Sequence, residues 1–424
     1  GDAKVSLAGA VVELDPREEW SQIFWEAWRQ ERDFYWDANM AGLDWKAIGA
    51  HYATLLPRVA SRSDLSDLIG EMIAELNTSH TYVFGGDPGV RPQHVSTGLL
   101  GADVAREGDA YKVTRVYRGD PADNVRSPLE EPGVGVGEGS YILAVNHRPF
   151  AKGKPFFAAF EDLADKDVVL TVNSKPSTEG ARDVVVRPID NDHDLRYADW
   201  VRRNREVVAA KTGGKIGYLH LTNMQADGMT EFNTWYPAQL TKAGMVIDVR
   251  WNGGGWVSEI ILERLRRKVD AFGRARGGGI NTYPYRTLNG PFVVVTNQFA
   301  GSDGDIFPAA VQIEKLAPVI GMRSWGGVIG INNIRPLVDL GLLTEPESAW
   351  NEPKKGWAIE NHGVDPDIVV ENLPQDLAKG TDAQLDRAIA EVMKLYEQHP
   401  PAQPDWAPIR NRTRGAFAKE LAQK

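Results

Sequence analysis

Apolar positions recur along this chain at two different periods, and the period changes twice. Over residues 15–80 the spacing is helical: Trp20, Ile23, Phe24, Ala27 and Trp28 fall three and four apart, and 45–56 and 65–76 repeat the pattern. Asp15-Pro16-Arg17-Glu18 reads as a helix start, with Asp15 as N-cap and Pro16 at the first helical position. Ser63 and Asp64 are the expected caps of the third stretch. An all-helical subdomain is expected to close near Asn77-Thr78-Ser79-His80, with Gly85-Gly86-Asp87-Pro88-Gly89 as a linker.

Between about 96 and 189 the period shortens to that of strands. Gly98-Leu99-Leu100-Gly101 leads into this region, strands are expected at 111–117, 141–146, 166–172 and 183–187, and a short helix is expected to start at 121–124. From about 190 to 398, apolar strand runs at 214–220, 244–249, 291–296 and 318–321 alternate with helical stretches at 226–240, 257–266, 305–316 and 381–397. Such alternation implies a largely parallel α/β sheet. Four prolines within 399–408 end the packed region, and 409–424 is basic. The expected architecture is an α+β/α/β multidomain chain. Its parts are a helical subdomain (1–94), a β domain (95–190), an α/β core (191–398) and a Pro-rich, basic tail (399–424).

Composition narrows the function. At roughly 150 residues per domain, 424 residues suggest about three domains. A chain 42% hydrophobic and 25% charged is globular in composition, not disordered, collagenous or a coiled coil. A net charge of −10 repels phosphate backbones, so no nucleic-acid partner is expected. The absence of cysteine excludes disulfides, thiolate zinc sites and a cysteine nucleophile. No apolar run approaches the roughly 18 residues of a spanning helix, so no membrane partner is expected. Gly1-Asp2-Ala3-Lys4 has no signal-peptide pattern, which is expected of a mature protein or a piece of a longer one. No cluster of metal-ligand residues stands out, and no metal or organic cofactor is expected.

Four segments offer chemistry. In Asn297-Gln298-Phe299-Ala300-Gly301-Ser302-Asp303-Gly304-Asp305 a buried strand ends in a small-residue turn that opens a helix. A serine there projects from the carboxyl edge of the sheet, beside the free amides of a helix amino terminus. The plain alternative is that Ser302 or Asp303 caps that helix. In Arg250-Trp251-Asn252-Gly253-Gly254-Gly255-Trp256, glycines permit close backbone approach, although a Gly-rich loop is commonly only a turn. A serine nucleophile needs a base near neutrality, and of the eight histidines His80 and His362 are the contenders, with His220 expected to be packed inside a strand. In 356–367 the apolar approach to Glu360 suggests a partly buried acid in need of a partner, and Asp365-Pro366-Asp367 is most simply a turn.

These motifs carry a resemblance. Gly98-Leu99-Leu100-Gly101 followed by Gly137-Glu138-Gly139-Ser140-Tyr141-Ile142-Leu143-Ala144-Val145-Asn146 resembles a PDZ domain, whose helix maps around 156–163. Ser79-His80, that segment, Asn252-Gly253-Gly254-Gly255, Ala300-Gly301-Ser302-Asp303-Gly304-Asp305 and Glu360-Asn361 with Gly363-Val364-Asp365-Pro366-Asp367 occur in the order seen in tricorn proteases. That family belongs with the tail-specific, C-terminal-processing serine peptidases. The resemblance implies Ser302 as nucleophile, His80 as general base, Ser79 and Glu360 as the groups that orient and polarise His80, and the amides of Gly255 and Asp303 as the oxyanion hole. No lysine lies between Lys315 and Lys354, so the Ser–Lys dyad of many tail-specific relatives has no candidate. The family has an acidic residue that favours basic side chains before the scissile bond; here Gly273 falls at that position, with Asp270 only nearby, so this preference is not carried over. The resemblance further implies a crotonase-like peptidase core, a peptide or unfolded-protein substrate, a hexameric homo-oligomer and a cytoplasmic location. It also points to β-propellers ahead of this region, which the sequence lacks. Two other classes stay open: a silent PDZ-type peptide-binding scaffold and a crotonase-like acyl-thioester enzyme.

Overall fold

A computed structural model describes residues 13–87, 94–119, 125–277 and 279–406. The expected linker at 88–89, the helix start at 121–124 and the basic tail lie outside the described residues. The chain forms two compact units. One comprises the described residues up to Ala210 together with Trp325–Gly363, and the other runs from Lys211 to Ser324 and resumes at Val364.

The first unit begins with helices Pro16–Phe34, Trp45–Ala53 and Arg62–Ala74. Asp15 caps the first as the sequence suggests, its carboxylate accepting from the Arg17 amide at 2.9 Å. The cap of the third is Ser61, not Ser63 or Asp64: Ser61 Oγ accepts from the Asp64 amide at 3.1 Å, and Asp64 in turn accepts from the Ala60 amide at 3.0 Å. This reciprocal arrangement starts the helix one turn earlier than the apolar period does. The subdomain is not all-helical. Strand Tyr82–Gly85 pairs antiparallel with Gly341–Thr344, which pairs with Ile334–Pro336. Leu337 and Leu343 of this distant hairpin complete the core of Ile23, Phe24, Leu65 and Ile69.

Within the same unit, strands Ala102–Glu107, Ala110–Val116, Tyr141–Val145, Val168–Asn173 and Arg182–Val186 form one antiparallel sheet with a short added strand, Arg148–Pro149. Its core joins Val113, Ile142 and Leu170 to Phe156 and Phe160. The helix expected around 156–163 is a single 3₁₀ turn, Phe156–Phe160. Helix His193–Lys211 escaped the pattern reading for a physical reason: Asp199 and Asn204 are among its buried positions. Asp199 receives Arg115 from strand Ala110–Val116, so an ion pair docks this helix together with buried Leu195, Ala198 and Val208.

The second unit is built on a parallel sheet. Ile216–His220, Gly244–Asp248, Phe292–Thr296, Val319–Gly321 and Ile368–Val369 lie side by side in chain order. The first four are buried at every position, as expected of a parallel sheet covered on both faces. Met245, Ile247, Phe292 and Val294 pack with Phe232, Ile261 and Phe307 from helices Ala226–Ala238, Ser258–Leu265 and Asp303–Ile313. The closing helix Ala383–Gln398 packs on the strands, with Val392 against Gly244. A hairpin, Ala271–Arg274 with Ile280–Tyr283, had no clear signal in the sequence because its residues are mostly exposed.

One charged group sits at the heart of this unit. Arg250 is fully buried and pairs with Asp248 at 2.7 Å and with Asp382, the N-cap of the closing helix, at 2.8 Å. Tyr218 Oη donates to Asp248 at 2.9 Å, and His220 Nε2–H donates to the Arg250 carbonyl at 2.9 Å. Removing the guanidinium would leave Asp248 buried without its ion-pair partner. Arg250→Ala is expected to lose about 3–5 kcal/mol of stability, measured by urea unfolding followed by circular dichroism. A loss under about 1 kcal/mol would show that the carboxylates find other partners.

Candidate active site

The residues singled out in the sequence fall into two groups, each complete within its own unit. Ser79, His80 and Glu360 belong to the first; Ser302, Gly255 and Asp303 belong to the second.

In the first group Glu360 is the hub. Its half-buried carboxylate accepts from the Ser79 amide at 2.6 Å and the Ser79 hydroxyl at 3.1 Å, and from the amides of Val328 and Ile329 at 2.8 and 3.2 Å. The acid therefore has its partner, and the partner is Ser79. Two glycines let the flanking loops meet: a Cβ on Gly326 would lie 2.4 Å from the Gly363 amide nitrogen. Asn361 seals the contact, donating from its backbone to the Gly326 carbonyl and from its side chain to the Asn77 carbonyl, each at 2.7 Å.

His80 follows Ser79 with φ of +62°, a left-handed conformation that non-glycine residues rarely adopt. Its carbonyl is held by Thr344 Oγ1 at 2.7 Å, and that hydroxyl also accepts from the Tyr82 amide at 2.8 Å. The ring lies 5.4 Å from that of Trp325, and Nδ1 is 3.3 Å from Tyr82 Oη. Burial pushes the His80 pKa below the ordinary imidazole value, and the Glu360 charge offsets part of that shift. Burial and the same carboxylate raise the Tyr82 phenol, which keeps its proton. Tyr82 and Trp325 were missed in the sequence. Tyr82 carried one signal, its position two residues beyond His80, which in an extended segment returns a side chain to the same side.

In the second group strand Phe292–Thr296 ends, the chain turns, and helix Asp303–Ile313 begins. Ser302 stands at the turn with φ of +59° and ψ of −123°, and its side chain makes no capping bond. Asp303 does not cap either. Its carboxylate accepts from the Ser258 amide at 3.1 Å and from the Ser258 hydroxyl, which ties the starts of helices Ser258–Leu265 and Asp303–Ile313 together. Burial raises the Asp303 pKa, with the two Ser258 bonds opposing it.

The Gly-rich loop lies against this turn. Gly254 has φ of +79°, and a Cβ there would lie 2.5 Å from Ser302 Cβ; Gly255 has φ of +146°, and a Cβ there would lie 2.0 Å from the Met224 carbonyl oxygen. Both glycines are sterically required. Most amides here have acceptors: Gly253 donates to Thr222 O, Gly254 to Asn252 Oδ1, Trp256 to Met224 O and Gly301 to Asn252 O. Among the described residues, the amides of Gly255 and Asp303 donate to no protein acceptor. An unpaired N–H near the amino terminus of a helix is a site for developing negative charge.

The remaining sequence candidates do other work. His220 is buried on the Arg250 carbonyl, and burial lowers its pKa. His362 is exposed. Asp365-Pro366-Asp367, expected as a turn, is an irregular segment that fastens the sheet: Asp367 accepts from the Val319 amide at 2.8 Å, and Asp365 pairs with Arg323 at 2.6 Å. Among the described residues no grouping of three or more His, Cys, Asp or Glu side chains could hold a metal ion, and no helix is long and apolar enough to cross a membrane.

Comparison with known proteins matches three family models: the Tricorn protease C1 domain over 16–74, the Tricorn protease PDZ domain over 98–191 and Peptidase family S41 over 215–370. Tricorn protease homolog 1 of Streptomyces coelicolor is 41% identical over 412 residues, covering 95% of this chain and 38% of that protein. The Tricorn protease of Thermoplasma acidophilum is 34% identical over 409 residues, covering 93% and 37%. The crystal structure of the tricorn protease superposes with a TM-score of 0.84 at 34% identity, over 90% of this chain and 37% of that one. The chain thus spans less than half the length of these relatives.

The 2.5 Å approach of a Gly254 Cβ to Ser302 Cβ generates a direct test. In Gly254→Ala the turn must shift. The variant is expected to lose about 1–3 kcal/mol of stability in urea unfolding, with the far-ultraviolet circular dichroism of the native fold retained. An unchanged unfolding midpoint would show that the loop and the serine turn do not press on each other.

Proposed function

We propose that this chain, which belongs to the tricorn protease family of serine-type peptidases, hydrolyses peptides or unfolded polypeptides through an acyl-enzyme on Ser302. The observation that carries the reading is Ser302 held at φ of +59° beside a helix start, with the Gly255 and Asp303 amides left without protein acceptors. In this reading Ser302 Oγ attacks the scissile carbonyl carbon while its proton passes to His80 Nε2. The carbonyl oxygen takes up the electron pair and the negative charge, and the two amides receive it. Collapse of the tetrahedral adduct breaks the C–N bond, with His80 returning the proton to the leaving amine. Water, deprotonated by the same imidazole, then cleaves the ester.

His80 needs a fixed tautomer for this role. Its Nδ1–H directed at Tyr82 Oη leaves Nε2 as the acceptor. Ser79 Oγ donates to Glu360 at 3.1 Å, so in this reading the carboxylate acts on the histidine by its charge and by holding the Ser79-His80 backbone. The roles of all six residues, the crotonase-like character of the core, the substrate class, a homo-oligomeric state and a cytoplasmic location belong to the same proposal. So do the domain limits 1–94, 95–190 and 191–398.

A fluorophosphonate probe, with labelled peptides mapped by mass, tests the nucleophile. Labelling is expected at Ser302, and Ser302→Ala is expected to abolish it and to lower peptide cleavage by several orders of magnitude with the fold intact. Labelling elsewhere, or wild-type cleavage of casein-derived peptides by Ser302→Ala, would sink the reading. A chain that takes no label and still binds carboxyl-terminal peptides is a scaffold.

The second test is pH. A base must be neutral, and burial depresses the His80 pKa, so kcat/KM is expected to rise with pH through a midpoint below the ordinary value of about 6.5. The Glu360 charge raises that pKa. Glu360→Gln is therefore expected to move the midpoint further toward acid while lowering the plateau. A midpoint that stays in place would show that Glu360 does not act on His80.

A further inference from the structure

We infer that Asn252 is the positioning residue of the oxyanion hole, the group that aims the Gly255 amide; the inference rests on the peptidase reading above. Asn252 is fully buried in the loop four residues beyond strand Gly244–Asp248 and touches each segment that frames the serine turn. Its side-chain Nδ2 donates to the Leu221 carbonyl at 2.9 Å, beyond the end of the neighbouring strand. Its Oδ1 accepts from the Gly254 amide at 2.9 Å, two residues on. Its own carbonyl accepts from the Gly301 amide at 3.0 Å, next to the nucleophile. Helix Asp303–Ile313 also closes on it, since a Cβ on Gly304 would lie 2.9 Å from the Asn252 carbonyl oxygen.

The chemistry of this hub selects which amides remain available. A run of three glycines has no conformation of its own, and each N–H will take whatever acceptor is near. Asn252 removes Gly254 from that competition, and the Thr222 carbonyl removes Gly253 at 3.1 Å. The Gly254 carbonyl is drawn to the Met224 amide at 2.7 Å, which sets the plane of the Gly254–Gly255 peptide. That plane points the Gly255 N–H away from protein acceptors. The bond from Gly254 to Oδ1 is an Asx turn, which serine reproduces with a shorter reach and alanine does not. Asn252 touches no reacting atom. It fixes a dipole before charge develops, so its contribution is felt in the transition state and not in substrate binding.

The test compares Asn252→Ala and Asn252→Ser with the wild-type chain in kcat and KM on a fluorogenic peptide, and in affinity for a peptide aldehyde whose adduct places an oxyanion in the hole. Asn252→Ala is expected to lose about ten- to a hundredfold in kcat, with KM within about twofold, and to lose aldehyde affinity in proportion. Asn252→Ser is expected to recover part of both. Wild-type kcat in Asn252→Ala overturns the inference, as does a serine variant no better than alanine at equal melting temperature. If Asn252→Ala does not fold, Asn252→Ser decides against wild type: a matched fall in kcat and aldehyde affinity supports the role, and a change in KM alone overturns it. A wild-type chain that takes no fluorophosphonate at Ser302 removes the peptidase reading and this inference together; a labelled, active wild type matched by its Asn252 variants removes this inference alone.

Discussion

Complete burial of the parallel sheet is the constraint from which the second unit follows. Four of its strands present no residue to water, so both faces are covered, and each crossing among those four includes a helix. Strands laid side by side in chain order bring the segments after them to one edge: 221–225, 249–257 and 297–302. Those loops are short and partly buried, and their backbone groups need acceptors that water does not supply. Asparagine side chains meet much of that need. Asn223 takes the Gln225 and Gly228 amides, Asn252 takes Gly254, and Asn297 takes Trp251 and Phe299. Among the described residues, the amides of Gly255 and Asp303 beside Ser302 are among those that find no protein acceptor.

The first unit solves a different problem, how to hold a histidine in a left-handed conformation beside a half-buried acid. Two tethers over-determine His80. Thr344 clasps its backbone from the distant hairpin, and Glu360 clasps the amide and hydroxyl of Ser79 from another segment. The hairpin in turn docks on the helices through the nearly buried Arg62–Asp339 pair, at 2.5 Å. The ring is thus kept near a charge but largely out of water. Burial lowers its pKa and the carboxylate raises it, and burial wins. Buried charge also fixes the second unit, where Arg250 ties the end of strand Gly244–Asp248 to the closing helix. In both places the alternative to pairing is an isolated charge in an apolar setting, so the geometry is held by the penalty for breaking it.

Much of this was legible in the chain because it rests on local signals. Asp15-Pro16 supplies a cap and a first helical residue, the mostly apolar runs 244–249 and 291–296 suit a covered sheet, and the motifs at Ser79-His80, the glycine run, Ser302 and Glu360 resemble, in their order, those of a known family. Helix His193–Lys211 was not legible, since part of what it buries is polar. Ser61, and not Ser63 or Asp64, caps the third helix because caps are set by hydrogen bonds and not by the apolar period.

The sequence by itself determined most of the helices and buried strands, the largely parallel character of the core and the residue types that chemistry requires, because periodicity, capping and strand burial act over a few neighbouring positions. Only the tertiary structure decided that residues 334–344 complete the helical core, that Glu360 reaches Ser79 across 281 positions, that Tyr82 stands at Nδ1 of His80, and which amides are left unpaired beside Ser302. Those outcomes depend on where distant backbone groups find their partners. Hydrogen bonds of that kind leave no period in the chain, because any residue can supply the carbonyl or the amide.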